Sequence, residues 1–398
     1  MTLKRLFAPI AILALAPAAP AFAAPAPAFN RDAWKADFER LKPALAQGYA
    51  NLDWQVERRG FNLSRADGQI GAMLDKVDSD AGAALVFAKL VDAFHDPHLQ
   101  LNPGPPPQSA TQMPMQSCIE GPAAAKSACE AANYSDGRAA TRLPYPSAPG
   151  WTPISDGPFQ AGLIGDIGII RIPTFGESRY LSACKTAQKP GMDSRALQLA
   201  TRAELNRQLA ALVGTLRGRG MKRLAIDLSR NGGGSEWSTE AVTLFTEGRL
   251  TRQEPRHVGP TCDRSGIWKG EKPACTAYAG APTAEWVESD GAPAWTGPLA
   301  ILADRDTASA AEEFITWLRD NKRAKMGGEK TFGAGCGYMD GGNAFAFKAA
   351  NIHLMMPNCS RFTRDGTNEI EGQAPDIAID WATVDARQMP AVLGSLFL

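Results

Sequence analysis

Short apolar strands running into amphipathic helices recur through the second half of this chain, and that alternation limits the folds open to it. GDIGIIRIP at 165–173, RLAIDL at 223–228 and LAILAD at 299–304 read as strands. AELNRQLAALVGTLRGRG at 203–220, WSTEAVTLFTEG at 237–248 and AAEEFITWLRD at 310–320 read as helices, and NIHLMMP at 351–357 as a late strand. Strands separated by helices cannot pair as tight hairpins, so they lie parallel with the helices packed on the sheet. The expected class is an α/β layered core.

The flanking composition divides the chain further. MTLKRLFAPIAILALAPAAPAFAAPA has a basic start at Lys4 and Arg5, a short apolar middle and the small-residue phrase Ala21-Phe22-Ala23, the pattern of a secretory signal peptide over 1–23. Prolines at 9, 17 and 20 and the short core argue against a retained membrane anchor, and no cysteine stands at the cleavage site as a lipoprotein would need. A periplasmic or secreted protein is expected. Residues 24–101 read as an N-terminal helical domain, with Trp34, Phe38, Leu41 and Leu45 at helical spacing and AGAALVFAKLVDAF as another helix. From 102 to 160 the composition turns to Pro, Gly, Ser and Ala, an irregular insertion or lid edge, and 161–398 holds the alternating core. The stretch 249–298, with Trp268, Trp286 and Trp295, reads as a loop-rich excursion bordering a cleft.

Seven cysteines suit export, and their spacing suggests local bridges 118–129, 262–275 and 336–359 with Cys184 left as a free or structural thiol. A nucleophilic Cys184 would want a histidine nearby in sequence, and YLSACKTAQ has none. Neither a CxxC pair nor a histidine cluster points to zinc, so no metal or cofactor is expected. Lys plus Arg and Asp plus Glu each number 42, without a basic run, which argues against a nucleic-acid partner.

Two places concentrate chemistry. Ser309 stands where the strand at Leu299, Ile301 and Leu302 meets the helical face of Phe314, Ile315 and Leu318. A helix N-terminus offers free N–H groups and a positive dipole end, which favour an oxyanion. Ser309 with Glu312 three residues on is also a capping box, and a plain helix cap is the competing reading. The second place is RLAIDLSRNGGG, a strand ending at Asp227 followed by bare backbone at Gly232, Gly233 and Gly234. Such glycines admit positive φ and close approach of a carbonyl. A flexible entry to the helix at Trp237 is the alternative.

DLSRNGGG and TASAAEEF followed by GGEKTFGAG resemble the aspartate–asparagine–glycine motif, the nucleophile motif and the glycine-rich strand of the tail-specific (C-terminal processing) serine peptidases and the related tricorn core. DPHLQL at 96–101 and NEIEGQAPDIAID at 368–380 follow the same family order, so the resemblance covers most of 94–380. It implies a crotonase/ClpP-like layered core, a nucleophile at Ser309, and a peptide or protein substrate. The family's lysine base stands in a phrase like TFGKG; here that position is Ala334, which cannot accept a proton. Lys330 would sit about 13 Å away along a strand. The tricorn-like branch uses histidine, and the resemblance places it at His98, with His95 as the other choice.

An imidazole base needs an acceptor on its second nitrogen, and the resemblance puts Glu369 there, Glu371 being out of phase. The oxyanion would be held by N–H groups of Gly232 or Gly233 and of Ala310. Tail-specific peptidases carry a PDZ module before the core, yet the 102–160 interval shows no carboxylate-binding glycine phrase. Two further classes remain: a catalytically silent relative that binds peptides or apolar ligands, and an α/β-hydrolase esterase, which would want GxSxG where the chain has Ala-Ser-Ala at 308–310.

Overall fold

The computed structural model describes residues 28–107, 127–137, 140–259, 262–272, 278 and 281–398. The expected signal segment, Cys118 and Cys275 lie outside these residues.

A seven-stranded sheet organises the core. In spatial order its strands are Ile377–Ala378, Lys325–Gly328, Leu299–Ala303, Arg223–Asp227, Ile167–Arg171, Gln160–Ile164 and Trp151–Asp156. The first five run parallel, as the alternating pattern demands, and the last two add an antiparallel edge. That edge corrects the domain reading, because Trp151–Asp156 lies in the stretch expected to be an irregular insertion but belongs to the main sheet.

Both faces of the sheet are covered, and alternate strand residues serve each. Leu224, Ile226, Ile301 and Ala303 pack with helix residues Leu205, Leu209, Trp237 and Phe314. Ala225, Ala300 and Leu302 pack on the other face with Trp381, Leu393 and Leu396. Strands buried on two sides read as continuous apolar runs, which is why LAILA carries no polar residue.

Helices Arg31–Gly48, Leu52–Glu57, Leu63–Leu74 and Asp80–Ala93 form the N-terminal part. They do not close a core alone. Trp34, Phe38, Leu45 and Phe87 pack with Trp268, Phe345, Phe347, Leu354 and Met356 from far along the chain. Of these, Phe345, Leu354 and Met356 belong to a three-stranded antiparallel sheet of Gln100–Pro103, Ile352–Met356 and Asn343–Ala346, in that order. The strand at 352–356 was expected with the alternating core; it pairs instead beside the N-terminal helices. Trp268 likewise serves this core rather than a cleft wall.

Two disulfides are described, Cys129–Cys184 and Cys336–Cys359. The second matches the expected pairing. The first corrects two expectations: Cys129 bonds Cys184 rather than Cys118, and Cys184 is not a free thiol. Both cysteines sit in a satellite core with Tyr134 and Leu197, so proximity in space overrode proximity in sequence. Cys262 is also disulfide-bonded, while the expected partner Cys275 lies outside the described residues. Among the described residues no helix is long and apolar enough to cross a membrane.

Helix Ala310–Asp320 is buried from Ala310 through Leu318, and its Phe314 is fully enclosed. Phe314→Ala should therefore cost about 3–5 kcal/mol, read as a lowered urea midpoint with an unchanged slope.

Candidate active site

Ser309 sits at the turn between strand Leu299–Ala303 and helix Ala310–Asp320 with φ 55° and ψ −118°. A helix-capping residue ordinarily has extended backbone, and a side-chain-bearing residue at this φ is strained. Such strain resembles the sharp strand-to-helix turn that presents a nucleophile, although the GxSxG phrase is absent. Gly233 makes room for it. A Cβ on Gly233 would stand 2.7 Å from Ser309 Cβ and 2.8 Å from Ala310 N, so the glycine loop lies directly against the serine turn.

Asn231 shapes that loop. Its Oδ1 accepts the Gly233 N–H at 2.9 Å, its Nδ2 donates to Ile172 O at 2.9 Å, and its carbonyl accepts the Ala308 N–H at 2.9 Å. The Gly233 N–H is thereby occupied. Gly232 is exposed, with open space where its Cβ would be, and Ala310 opens its helix, where the first N–H groups lack an intrahelical acceptor. Of the expected oxyanion donors, Gly232 and Ala310 keep theirs free of a described hydrogen bond.

Glu312 joins the serine to the segment behind it. Its carboxylate is fully buried and accepts four hydrogen bonds: Ser309 N at 2.9 Å and Ala334 N at 2.9 Å on Oε2, Thr331 Oγ1 at 2.6 Å and Gly333 N at 2.8 Å on Oε1. Burial pushes its pKa up, the Thr331 hydroxyl opposes that, and neighbouring Glu369 adds to it. Of the expected glycine-rich strand only Gly327 and Gly328 lie in one, since strand Lys325–Gly328 ends before TFGAG. The N–H groups of 333 and 334 go to a carboxylate instead of a ladder.

His98 reaches the same segment. Its Nδ1 lies 2.8 Å from the Ala334 carbonyl oxygen, its backbone N–H donates to Asp96 Oδ1 at 3.0 Å, and the Tyr338 hydroxyl donates to its carbonyl. Asp96, itself buried, takes Tyr49 Oη at 2.8 Å and Asn51 Nδ2 at 3.0 Å, fixing the 96–98 turn to the N-terminal helices. Gly337 covers the ring, for a Cβ there would fall 2.9 Å from His98 Nε2. Burial lowers the imidazole pKa, opposed by Asp96 and the Ala334 carbonyl and assisted by Arg361. His95, by contrast, is exposed, with φ 48°.

Glu369 is not brought to His98. One carboxylate oxygen accepts Thr316 Oγ1 at 2.7 Å and the other Arg361 Nε at 2.7 Å, so its carboxylate is committed elsewhere. The acceptor on His98 is the Ala334 main chain, at the position where the family's lysine would stand. Arg361 is the link that sequence reading missed. Its Nη2 donates to Ser309 O at 3.0 Å and Gly335 O at 2.8 Å, and its Nη1 to Glu313 Oε2 at 2.9 Å. Burial alone would raise the Glu313 pKa; Arg252 and Arg361 outweigh it and hold the acid at about 2. Nothing in NCSRFTRDG marks Arg361, whereas Glu312 was visible as half of the capping box.

The profile of peptidase family S41 matches residues 166–379, more than half of the chain. The chain belongs to peptidase family S41. The S41 match takes in Gly232, Ser309, Ala334 and Glu369 but not His98. A carboxyl-terminal-processing protease of Synechocystis sp. (strain ATCC 27184 / PCC 6803 / Kazusa) is 37% identical over 73 residues, 18% of this chain and 17% of that protein, so the shared stretch spans about a sixth of the curated relative. The structure of mature CPAF complexed with lactacystin superposes with a TM-score of 0.59 at 15% identity, covering 92% of this chain and 96% of the other. A crystal structure of mature CPAF gives 0.59 at 14% identity over 92% and 95%. These likenesses establish that the fold extends beyond the S41 match into the N-terminal helices.

Glu312→Gln leaves one acceptor oxygen where four donors converge and turns an NH2 toward two of them. The variant should lose about 2–4 kcal/mol of stability, measured by urea unfolding.

Proposed function

We propose that this S41 chain is an exported serine peptidase in which Ser309 attacks a peptide carbonyl and His98 is the general base. The observation that carries the reading is the 2.8 Å contact between His98 Nδ1 and the Ala334 carbonyl. A carbonyl only accepts, so Nδ1 bears the proton and Nε2 keeps its lone pair, the tautomer a base needs. Glu312 ties that same Ala334 to Ser309 through N–H groups on both sides, which holds base and nucleophile to one carboxylate.

In this mechanism Nε2 takes the Ser309 proton as Oγ bonds to the carbonyl carbon, and the imidazolium returns it to the leaving amine. Water then attacks the acyl-enzyme with His98 again as base. The N–H groups of Gly232 and Ala310 receive the oxyanion. Glu369 acts at one remove, holding Arg361 on the Ser309 and Gly335 carbonyls, so the site is a Ser–His dyad on a main-chain acceptor rather than a Ser–His–Glu triad. The substrates are peptides or proteins. The disulfides at 129–184 and 336–359 support an oxidising compartment, periplasmic or extracellular.

Ser309→Ala should abolish labelling by a fluorophosphonate and hydrolysis of casein, followed by gel fluorescence and peptide release; labelling that persists in the folded variant removes Ser309 as nucleophile. A wild type that neither labels nor cleaves would favour a silent peptide-binding relative. The pH profile is a separate check. Burial lowers the His98 pKa, and the base works only when neutral, so kcat/KM should rise with pH through an acid limb centred below the ordinary imidazole value of about 6.5. A limb centred above that value contradicts the assignment of His98.

A further inference from the structure

We infer that the substrate docks as an extra β-strand on the outer edge of strand Gln100–Pro103, which is unpaired among the described residues and carries the substrate past His98. This deepens the peptidase reading and rests on it.

The three-stranded sheet has Gln100–Pro103 at one margin, paired only with Ile352–Met356 among the described residues. The hydrogen-bond phase of the ladder follows from its ends. The Gly104 N–H donates to Asn351 O at 2.8 Å, and these residues continue the register Pro103↔Ile352, so positions 104, 102 and 100 bond inward. The partner strand agrees. The Phe347 N–H donates to Ile352 O at 3.1 Å on its other side, which leaves 353 and 355 to face 102 and 100. Leu101 therefore turns its N–H and its carbonyl away from the sheet, and Pro103 adds an outward carbonyl with no N–H, as suits an edge.

That edge is placed for the chemistry. Leu101 lies three residues beyond His98, about 10 Å of extended chain, so a strand bonded to Leu101 continues along the turn that bears the imidazole. An open cleft runs beside it, lined by Val91, His95, Leu99, Leu101, Asn102 and Phe332. Phe332 is 55% exposed, and its N–H donates to Thr307 O at 2.9 Å, two residues before Ser309. An aromatic ring left in water between the serine turn and the histidine turn is a contact surface for an apolar side chain. The occupant assigned here is an extended, unfolded stretch of polypeptide with an apolar residue facing Phe332. Main-chain pairing supplies affinity without demanding a sequence, and the alternate side chain supplies preference.

The test uses a short peptide that the wild type cuts from β-casein, remade with a single N-methyl group at each residue in turn. Each methyl deletes one N–H donor, and a lost strand hydrogen bond is worth about tenfold. The expected result is a fall in kcat/KM of at least about tenfold at alternate residues on one side of the cleaved bond, with smaller effects between them. Losses confined to the residues flanking the cleaved bond, or without a two-residue period, overturn the inference. Leu101→Pro removes the outward N–H from the enzyme side and should lower kcat/KM for the unmodified peptide by about tenfold, while fluorophosphonate labelling reports whether Ser309 is still assembled. Cleavage by Leu101→Pro at the wild-type rate also overturns it. If Leu101→Pro fails to label, the N-methyl series on the wild type decides alone. A wild type that does not label Ser309 defeats the peptidase reading itself, an outcome distinct from a labelled enzyme that ignores N-methylation.

Discussion

One buried carboxylate governs the geometry described above. Glu312 holds Ser309 N, Thr331 Oγ1, Gly333 N and Ala334 N around two oxygens, with no exposure to water. A buried carboxylate is costly unless its lone pairs are taken, and four donors take them. The helix start benefits as well, since an acid at its third position faces the positive end of the dipole. What in another chain would be ordinary helix capping here fastens two loops together, one carrying the candidate nucleophile and the other supporting the candidate base.

Behind this lies a second buried layer of opposite sign. Arg361 is gripped by Glu369 and Glu313 and reaches the carbonyls of Ser309 and Gly335. Glu312 thus gathers N–H groups while Arg361 gathers carbonyls of the same two segments. The strained backbone at Ser309 persists because donors and acceptors are restrained on both sides and Gly233, having no side chain, leaves it room. Cys336–Cys359 joins the Ala334 segment to the chain two residues before Arg361, so a covalent bond runs alongside the charged contacts.

Local pattern was enough for much of this. Three of the five parallel strands, 167–171, 223–227 and 299–303, were legible because each is a short apolar run and helices with an apolar face lie between them, whereas Lys325–Gly328 and Ile377–Ala378 carry too little apolar pattern to be read. Ser309 and the glycine loop were legible for the same reason: both sit where a strand ends, and special backbone needs special residues. What failed depended on pairing across distance. Cys184 found Cys129 through a small shared core, the 352–356 strand paired beside the N-terminal helices instead of in the main sheet, and Gly333 and Ala334 gave their N–H groups to Glu312 rather than to a ladder. The role expected of Glu369 failed because order along the chain says which carboxylate is near, not which donor it has already accepted. Arg361 had no local signature at all.

The N-terminal helices and the strands at 343–356 close a single apolar core, and His98 rides on the turn from helix Asp80–Ala93 into strand Gln100–Pro103, which pairs with Ile352–Met356. The imidazole's seat is consequently built from both halves of the polypeptide, and the serine turn also waits for a late residue, because Arg361 holds the Ser309 carbonyl. A nascent chain would have neither a secured serine turn nor a folded perch for the candidate base until residues near 361 had arrived. Synthesis would thus pass with the candidate site unassembled, and competence for any chemistry there would come only with closure of the whole molecule.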